Sequence, residues 1–360
     1  MKIILFLSLA AVSALAGVKT ITVLDRAEQN EALVFHADHL WVGQSRKDFK
    51  ADPKLLIFDR SDKKVAEVPL RHSPQYLYPY GAQSVLVVGT SIEPNLTMYT
   101  IATRKGESFS ARTIVIPMQA WANRWLGTVD GKEYFTDPGG NSEDTSTDLS
   151  LAAQTIFRMD SFGPKYLSTR LRLPVGGMAI GNKLFVVQHE AIGAWQSNLA
   201  VIDPRTGQFS LAFPNYRKNL SGIAQIPGTA LVAVTERDAN QLLLLDKNTL
   251  QLSFELNTPA EPRGVTAFGQ CALAGSFSER GVRVFRRTAD QKYEVALDLA
   301  MDLSGNEFAR LFQITADAST GRVYGKSNFP CNPMVEVCDR DYNRVVSWES
   351  ESAAILAACH

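Results

Sequence analysis

The stretches Leu199-Ala200-Val201-Ile202-Asp203 and Leu243-Leu244-Leu245-Asp246 are one device repeated, their aspartates 43 residues apart. Ile156-Phe157-Arg158-Met159-Asp160 lies the same distance upstream. Each is a short apolar strand that stops at an aspartate. Further copies read Leu56-Ile57-Phe58-Asp59, Met98-Tyr99-Thr100, Val282-Arg283-Val284-Phe285 and Val335-Glu336-Val337-Cys338-Asp339, which makes seven. A turn such as Pro204-Arg205-Thr206-Gly207 or Lys247-Asn248-Thr249 follows most copies, and an alternating strand such as 250–256 comes next. Ahead of the copies lie hairpins of two apolar strands, as at 32–35 with 40–42, 178–180 with 184–187, and 223–225 with 231–234.

Four short strands per unit at this period match the blade of a propeller, and seven units predict an all-β, seven-bladed β-propeller of antiparallel blades. A single blade exposes both faces, so only radial stacking covers them. Either 18–24 or 345–349 can supply the outermost strand of the last blade, with the N-terminal segment expected to contribute to closure. No run of 10–15 residues carries convincing helical periodicity; 152–154 can join one brief helical turn. The connections between second and third strands, at 44–53, 90–94, 137–154, 188–198 and 327–333, are long. They emerge on one face, where a rigid ring would build a binding site.

Composition narrows the function classes. The chain has 360 residues, 45% of them hydrophobic, which supports a full core and excludes intrinsic disorder. Lys+Arg and Asp+Glu both total 37, so no global basic field exists for nucleic acid. Met1-Lys2, an apolar run over 3–15 and the small residues Ala14 and Ala16 predict a secretory signal peptide over 1–16. The remainder, 17–360, is then a single exported domain, periplasmic or extracellular, monomeric and without a membrane span. In that oxidising setting Cys331, Cys338 and Cys359 can supply a bridge that fastens the chain end. Cys271, in the apolar stretch Gln270-Cys271-Ala272-Leu273, reads as an inert buried thiol. Asn95-Leu96-Thr97 and Asn219-Leu220-Ser221 are glycosylation sequons.

The run 123–140, with Asn123 opening a strand, an Asp130-Gly131 turn, and Tyr134-Phe135-Thr136-Asp137-Pro138 closing the next, resembles the third blade of the senescence-marker-protein/gluconolactonase family. Asn30-Glu31-Ala32 resembles that family's first-blade opening. The resemblance implies a divalent cation, Ca or Zn, at the channel mouth, polarising a lactone carbonyl and activating water. Glu31 and Asn123 match two of its four ligands; Gly176 stands at the place of a second Asn and Ser221 at that of an Asp. Arg124 replaces the usual acidic neighbour. Pro174-Val175-Gly176-Gly177 and the run 198–207 look more like the YVTN-type repeats of exported bacterial propellers, which are mostly binding or scaffold units.

In the same register Arg263 opens blade six, and Asn306, Glu307 and Arg310 open blade seven. With Arg124 these place guanidinium groups over one cavity, an arrangement suited to a carboxylate or phosphate. Pairing of Arg263 or Arg310 with Glu31 or Glu307 is the structural alternative. Tyr76, Tyr78, Tyr80, Trp41, Trp125 and Trp195 offer stacking surfaces, or pack between blades. His189-Glu190 is the one plausible general-base pair, unless it belongs to a solvated loop. Gly321–Ser327 mimics a phosphate loop but reads as strand.

The expected function is an exported propeller that binds a small anionic ligand, or an exported or cell-envelope protein, at the channel mouth without catalysis and with no cofactor required. Its site is Glu31, Asn123, Arg124, Ser221, Arg263 and Arg310. The alternative is a divalent-cation-dependent lactonase or esterase, with His189 or Glu190 as base.

Overall fold

The computed structural model describes residues 18–23, 28–46, 52–89, 96–116, 124–137, 155–160, 163–167, 171–189, 196–278, 281–301, 310–328 and 344–360. They form seven small antiparallel sheets arranged as the seven blades of a β-propeller. The first strands of the blades are Glu28–His36, Tyr76–Tyr80, Arg124–Val129, Pro174–Ile180, Leu220–Gln225, Pro262–Phe268 and Arg310–Asp317. Neighbouring first strands touch, those of blades two and three through Tyr76–Arg124 and Tyr78–Trp125, and that of blade seven touches that of blade one, so the ring closes.

The buried apolar residues fall into seven clusters, one at each blade–blade interface. Strand Gln241–Asp246 shows why its apolar run is continuous rather than alternating. Leu243 and Leu245 pack towards blade four, and Leu242 and Leu244 towards blade six. A strand covered on both faces needs apolar residues at every position. The repeated aspartate then turns the chain outward: the Asp246 carboxylate accepts from the backbone N–H groups of Asn248 and Thr249 (2.8 and 2.9 Å), and Asp203 accepts from that of Arg205 (2.9 Å).

Blade seven is completed from both chain ends. Lys19–Val23 forms its outermost strand, paired antiparallel to Arg344–Trp348. The third strand of this blade is therefore Arg344–Trp348, and not the expected copy at 335–339, which lies outside the described residues. The seam between blades seven and one carries charge as well as apolar contact. Arg322 reaches Asp62 at 2.6 Å and Glu349 at 2.8 Å, and Lys19 also reaches Asp62, at 2.6 Å.

One element was not foreseen, and one sequence expectation needs correction. A short α-helix, Ser352–Cys359, ends the chain and packs on the turns between first and second strands of blades six and seven. Its eight residues are too few for periodicity to reveal. Gly321, at φ +75°, permits this docking, since a Cβ there would collide with the Ser352 carbonyl. Cys271 is no free thiol: it is bonded to Cys359, so the helix is stapled to blade six. Strand periodicity places Cys271 indoors but cannot show what meets it. Among the described residues no helix is long and apolar enough to cross a membrane.

His72, wholly buried between the outer strand of blade one and blade two, supplies a pH dependence. Its Nδ1–H donates to the Ser73 carbonyl (3.1 Å), which leaves Nε2 to accept from the Thr100 hydroxyl (3.0 Å). Desolvation pushes its pKa down to about 4. An unfolded histidine titrates near ~6.5, so between these values the unfolded chain takes up a proton that the folded one refuses. The stabilisation is complete above pH ~6.5 and falls by roughly 3 kcal/mol as pH drops to about 4. Unfolding midpoints measured across that window should show this slope in the parent and a clearly shallower one in His72→Gln.

Candidate functional site

Each blade runs its first strand away from one mouth of the ring and its second strand back, so starts of first strands and ends of second strands share that mouth. In six blades the pairing of these two strands slips at a bulge near the start of the first, and only blade two lacks it. The slips fall around Glu31, Leu126, Val175, Ser221-Gly222, Arg263 and Phe312. A bulge breaks the in–out alternation and re-aims a side chain. Close packing at the mouth also selects glycine: a Cβ on Gly222 would stand 2.7 Å from Val265 and 2.8 Å from the Arg263 carbonyl.

These starts and ends enclose an axial cavity of about 630 Å³. Arg124, Ser221, Arg263 and His189, named from the sequence, all line it. Glu31 lies in strand Glu28–His36 and Arg310 opens strand Arg310–Asp317, but their side chains are outside the described residues. Asn123 and Glu190 are outside them entirely, as are Trp195 and most of the long second-to-third-strand loops.

The cavity wall is cationic. Arg124, Arg237, Arg263 and Lys326 contribute to it, and none of the described lining residues is a carboxylate. The Arg124 guanidinium lies over the Tyr76 ring at 3.9 Å, and its Nε is buried with no hydrogen-bond partner. Arg263 lies over Phe277 at 4.0 Å and against Phe312 at 5.2 Å; Lys326 stands over the same Phe312 at 5.9 Å. Arg237 is paired with Glu261 (2.6 Å), outside the lining. Aromatic faces back Arg124, Arg263 and Lys326 at the cavity wall.

Ser221 ties blade five to blade six, its hydroxyl 2.9 Å from the Thr235 hydroxyl and 3.3 Å from the Pro262 carbonyl. Gly176 brings no side chain and faces the Arg124 stem, 3.9 Å from its would-be Cβ. His189 ends strand Lys183–His189 and is buried, so it belongs to the cavity wall and to no solvated loop. Burial pushes its pKa below the usual histidine range, against the pull of the Leu220 backbone and of Asp238. Asn219 is also in the wall, buried, in the left-handed conformation (φ +56°) with its amide donating to Asp238 (3.1 Å). That sequon is closed to a glycan in the folded chain.

Tyr76 lines the cavity beneath Arg124, whereas Trp125 packs against Tyr78 and Tyr80, and Trp41 against Phe109. Sequence reasoning passed over Lys326 and Arg237 because it looked for cations only at first-strand openings. Both sit where second strands end, Lys326 in Arg322–Asn328 and Arg237 just after Leu231–Glu236. The antiparallel pairing that brings His189 to the mouth brings these two as well, and that is the signal that would have found them.

No family model matches the chain, and no curated protein resembles it significantly in sequence. Solved structures do share its fold. The WD40 repeats of RRP9 superpose with a TM-score of 0.61 at 9% identity, covering 92% of this chain and 97% of that one. A Kuenenia stuttgartiensis hydrazine synthase chain superposes with a TM-score of 0.57 at 14% identity, covering 84% and 94%. Likeness at this identity concerns the fold alone: a seven-bladed propeller. The senescence-marker-protein/gluconolactonase resemblance finds no support among family models.

Proposed function

We propose that this propeller binds a small anionic ligand in its axial cavity and does not transform it. The observation that carries the reading is the convergence of Arg124, Arg237, Arg263 and Lys326 on one cavity, with no carboxylate among its described lining residues. A guanidinium seated over an aromatic ring still carries the fork of N–H donors that matches carboxylate or phosphate. The same field favours this reading over the divalent-cation lactonase. Of the positions given to the cation by resemblance, Gly176 has no donor and the Ser221 hydroxyl is engaged by Thr235 and Pro262. A hard cation wants oxygen donors and negative charge. The Cys271–Cys359 bond supports the exported setting that the leader implies.

Calorimetric titration with small carboxylates and with inorganic phosphate tests the proposal. Binding is expected, and Arg124→Met and Arg263→Ala should each weaken it by about 10–100-fold, the worth of one charge-assisted contact. Failure of every anion to bind would overturn it. Metal-dependent turnover of a γ- or δ-lactone, lost in Glu31→Gln and Asn123→Ala, would establish the lactonase instead.

A further inference from the structure

We propose that the cavity takes up a proton together with its anion, and that His189 is the group that receives it. The proposal rests on the anion-binding reading and adds how that site is regulated. His189 is the one histidine among the described lining residues, and imidazole is the one side chain there that ordinarily changes its charge between about pH 5 and 8. Its ring is held from blade five, where one N–H donates to the Leu220 carbonyl. Leu220 is itself fixed, its own N–H donating to the Ser197 hydroxyl (2.6 Å), and Ser197 is the residue paired with His189 across blade four. One ring nitrogen therefore carries the proton of the neutral ring, and a second proton goes to the other nitrogen.

The surroundings decide when that second proton is tolerated. The charged groups on the elements packed against His189 include Arg124, which opens the first strand of blade three, and Arg172, ahead of the first strand of blade four. Arg217 and Lys218 pair with the third strand of blade four, and blade five adds Glu236, Arg237 and Asp238 where its second strand ends. Five of these seven are cations, and both carboxylates are engaged: Glu236 accepts from Arg217 (2.6 Å) and Asp238 from the Asn219 amide (3.1 Å). Asp238 and the Leu220 carbonyl draw the imidazole towards its charged form, but burial outweighs both, so without an anion the ring is neutral at neutral pH. An anion seated in the same cavity of about 630 Å³ brings negative charge beside the ring and reverses that balance. By linkage, what the anion does for the proton the proton does for the anion. Affinity is then greatest below the pKa of the anion-free ring, declines as pH rises through the raised pKa of the complex, and levels off above it.

The test is calorimetry on the intact chain with sulfate and with trifluoroacetate, both fully ionised between about pH 5 and 8, in cationic buffers that differ in ionisation heat. Affinity in the parent should rise by at least about 10-fold from the top of that range to the bottom, the effect of one opposite charge on a nearby titratable group. The buffer dependence of the heat should report uptake of up to about one proton per anion. His189→Gln should bind with one affinity at every pH and take up no proton. An anion bound equally well across the range, without proton uptake, would overturn the coupling and leave the anion site standing. Proton uptake that persists in His189→Gln would do the same. No binding by either anion would also overturn the coupling, and failure of the other carboxylates and of phosphate as well would remove the site itself. The proton count is read on the parent, so the test survives a variant that does not fold.

Discussion

Arg322→Met should lower the folding stability of this propeller by roughly 3–5 kcal/mol, the usual cost of stranding one member of a buried ion pair. Arg322 and Asp62 are almost fully buried, with side chains 6% and 5% exposed, and their contact spans the seam where blade seven meets blade one. Arg322 also donates to the Arg60 carbonyl (2.9 Å) and pairs with Glu349 (2.8 Å). Removing the guanidinium leaves the Asp62 carboxylate indoors with Lys19, which is itself half exposed and sits on the closing N-terminal strand. Urea unfolding would show the loss as a shift of midpoint. Adding Asp62→Leu should recover more than half of it, because a buried pair replaced whole by apolar groups is often neutral. A single variant within about 1 kcal/mol of the parent would show that the seam is held by its apolar contacts and not by this pair.

Breaking the Cys271–Cys359 bond should cost about 2–5 kcal/mol. The two cysteines are 88 residues apart and both are wholly buried, so the bond restrains a long loop of the unfolded chain and leaves no solvent-exposed sulfur. It also fixes the terminal helix, whose Ile355 is buried in the cluster between blades six and seven. The comparison is thermal unfolding of the parent and of Cys271→Ala with Cys359→Ala, each with and without reductant. The parent should fall to the level of the double variant on reduction, and the variant should not move. A parent indifferent to reductant would remove the staple from the account of stability. The helix lies at the end of the ring opposite the cavity, so anion binding should be unchanged in the double variant.

Legibility in the sequence followed the range of the interactions involved. The blade count was readable because most copies obey a local rule, an apolar run that ends in a polar turn before an outer strand, although the seventh copy was placed at 335–339 and the third strand of blade seven is Arg344–Trp348. Closure by 18–24 was readable because an incomplete last blade demands a partner. Arg124, Ser221 and Arg263 were found because first-strand openings all point to one mouth. Lys326 and Arg237 were not, because their place at that mouth depends on where each second strand stops. The Cys271–Cys359 bond joins a blade-six strand to a helix 88 residues later, and no local pattern carries that pairing.

What the chain's order of residues determined by itself is the architecture: seven apolar strands ending in turns leave blades that must stack and close, since neither face of any blade can remain in water. What tertiary structure alone decided is the character of the axial cavity. Charges on blades three, five, six and seven meet there only after the ring has closed. Whether a guanidinium then faces a carboxylate, a ring or an open space depends on contacts between residues as distant as Arg263 and Phe312, or Tyr76 and Arg124. Electrostatic environment is a property of neighbours in space, and the ring assigns those neighbours across the full length of the chain.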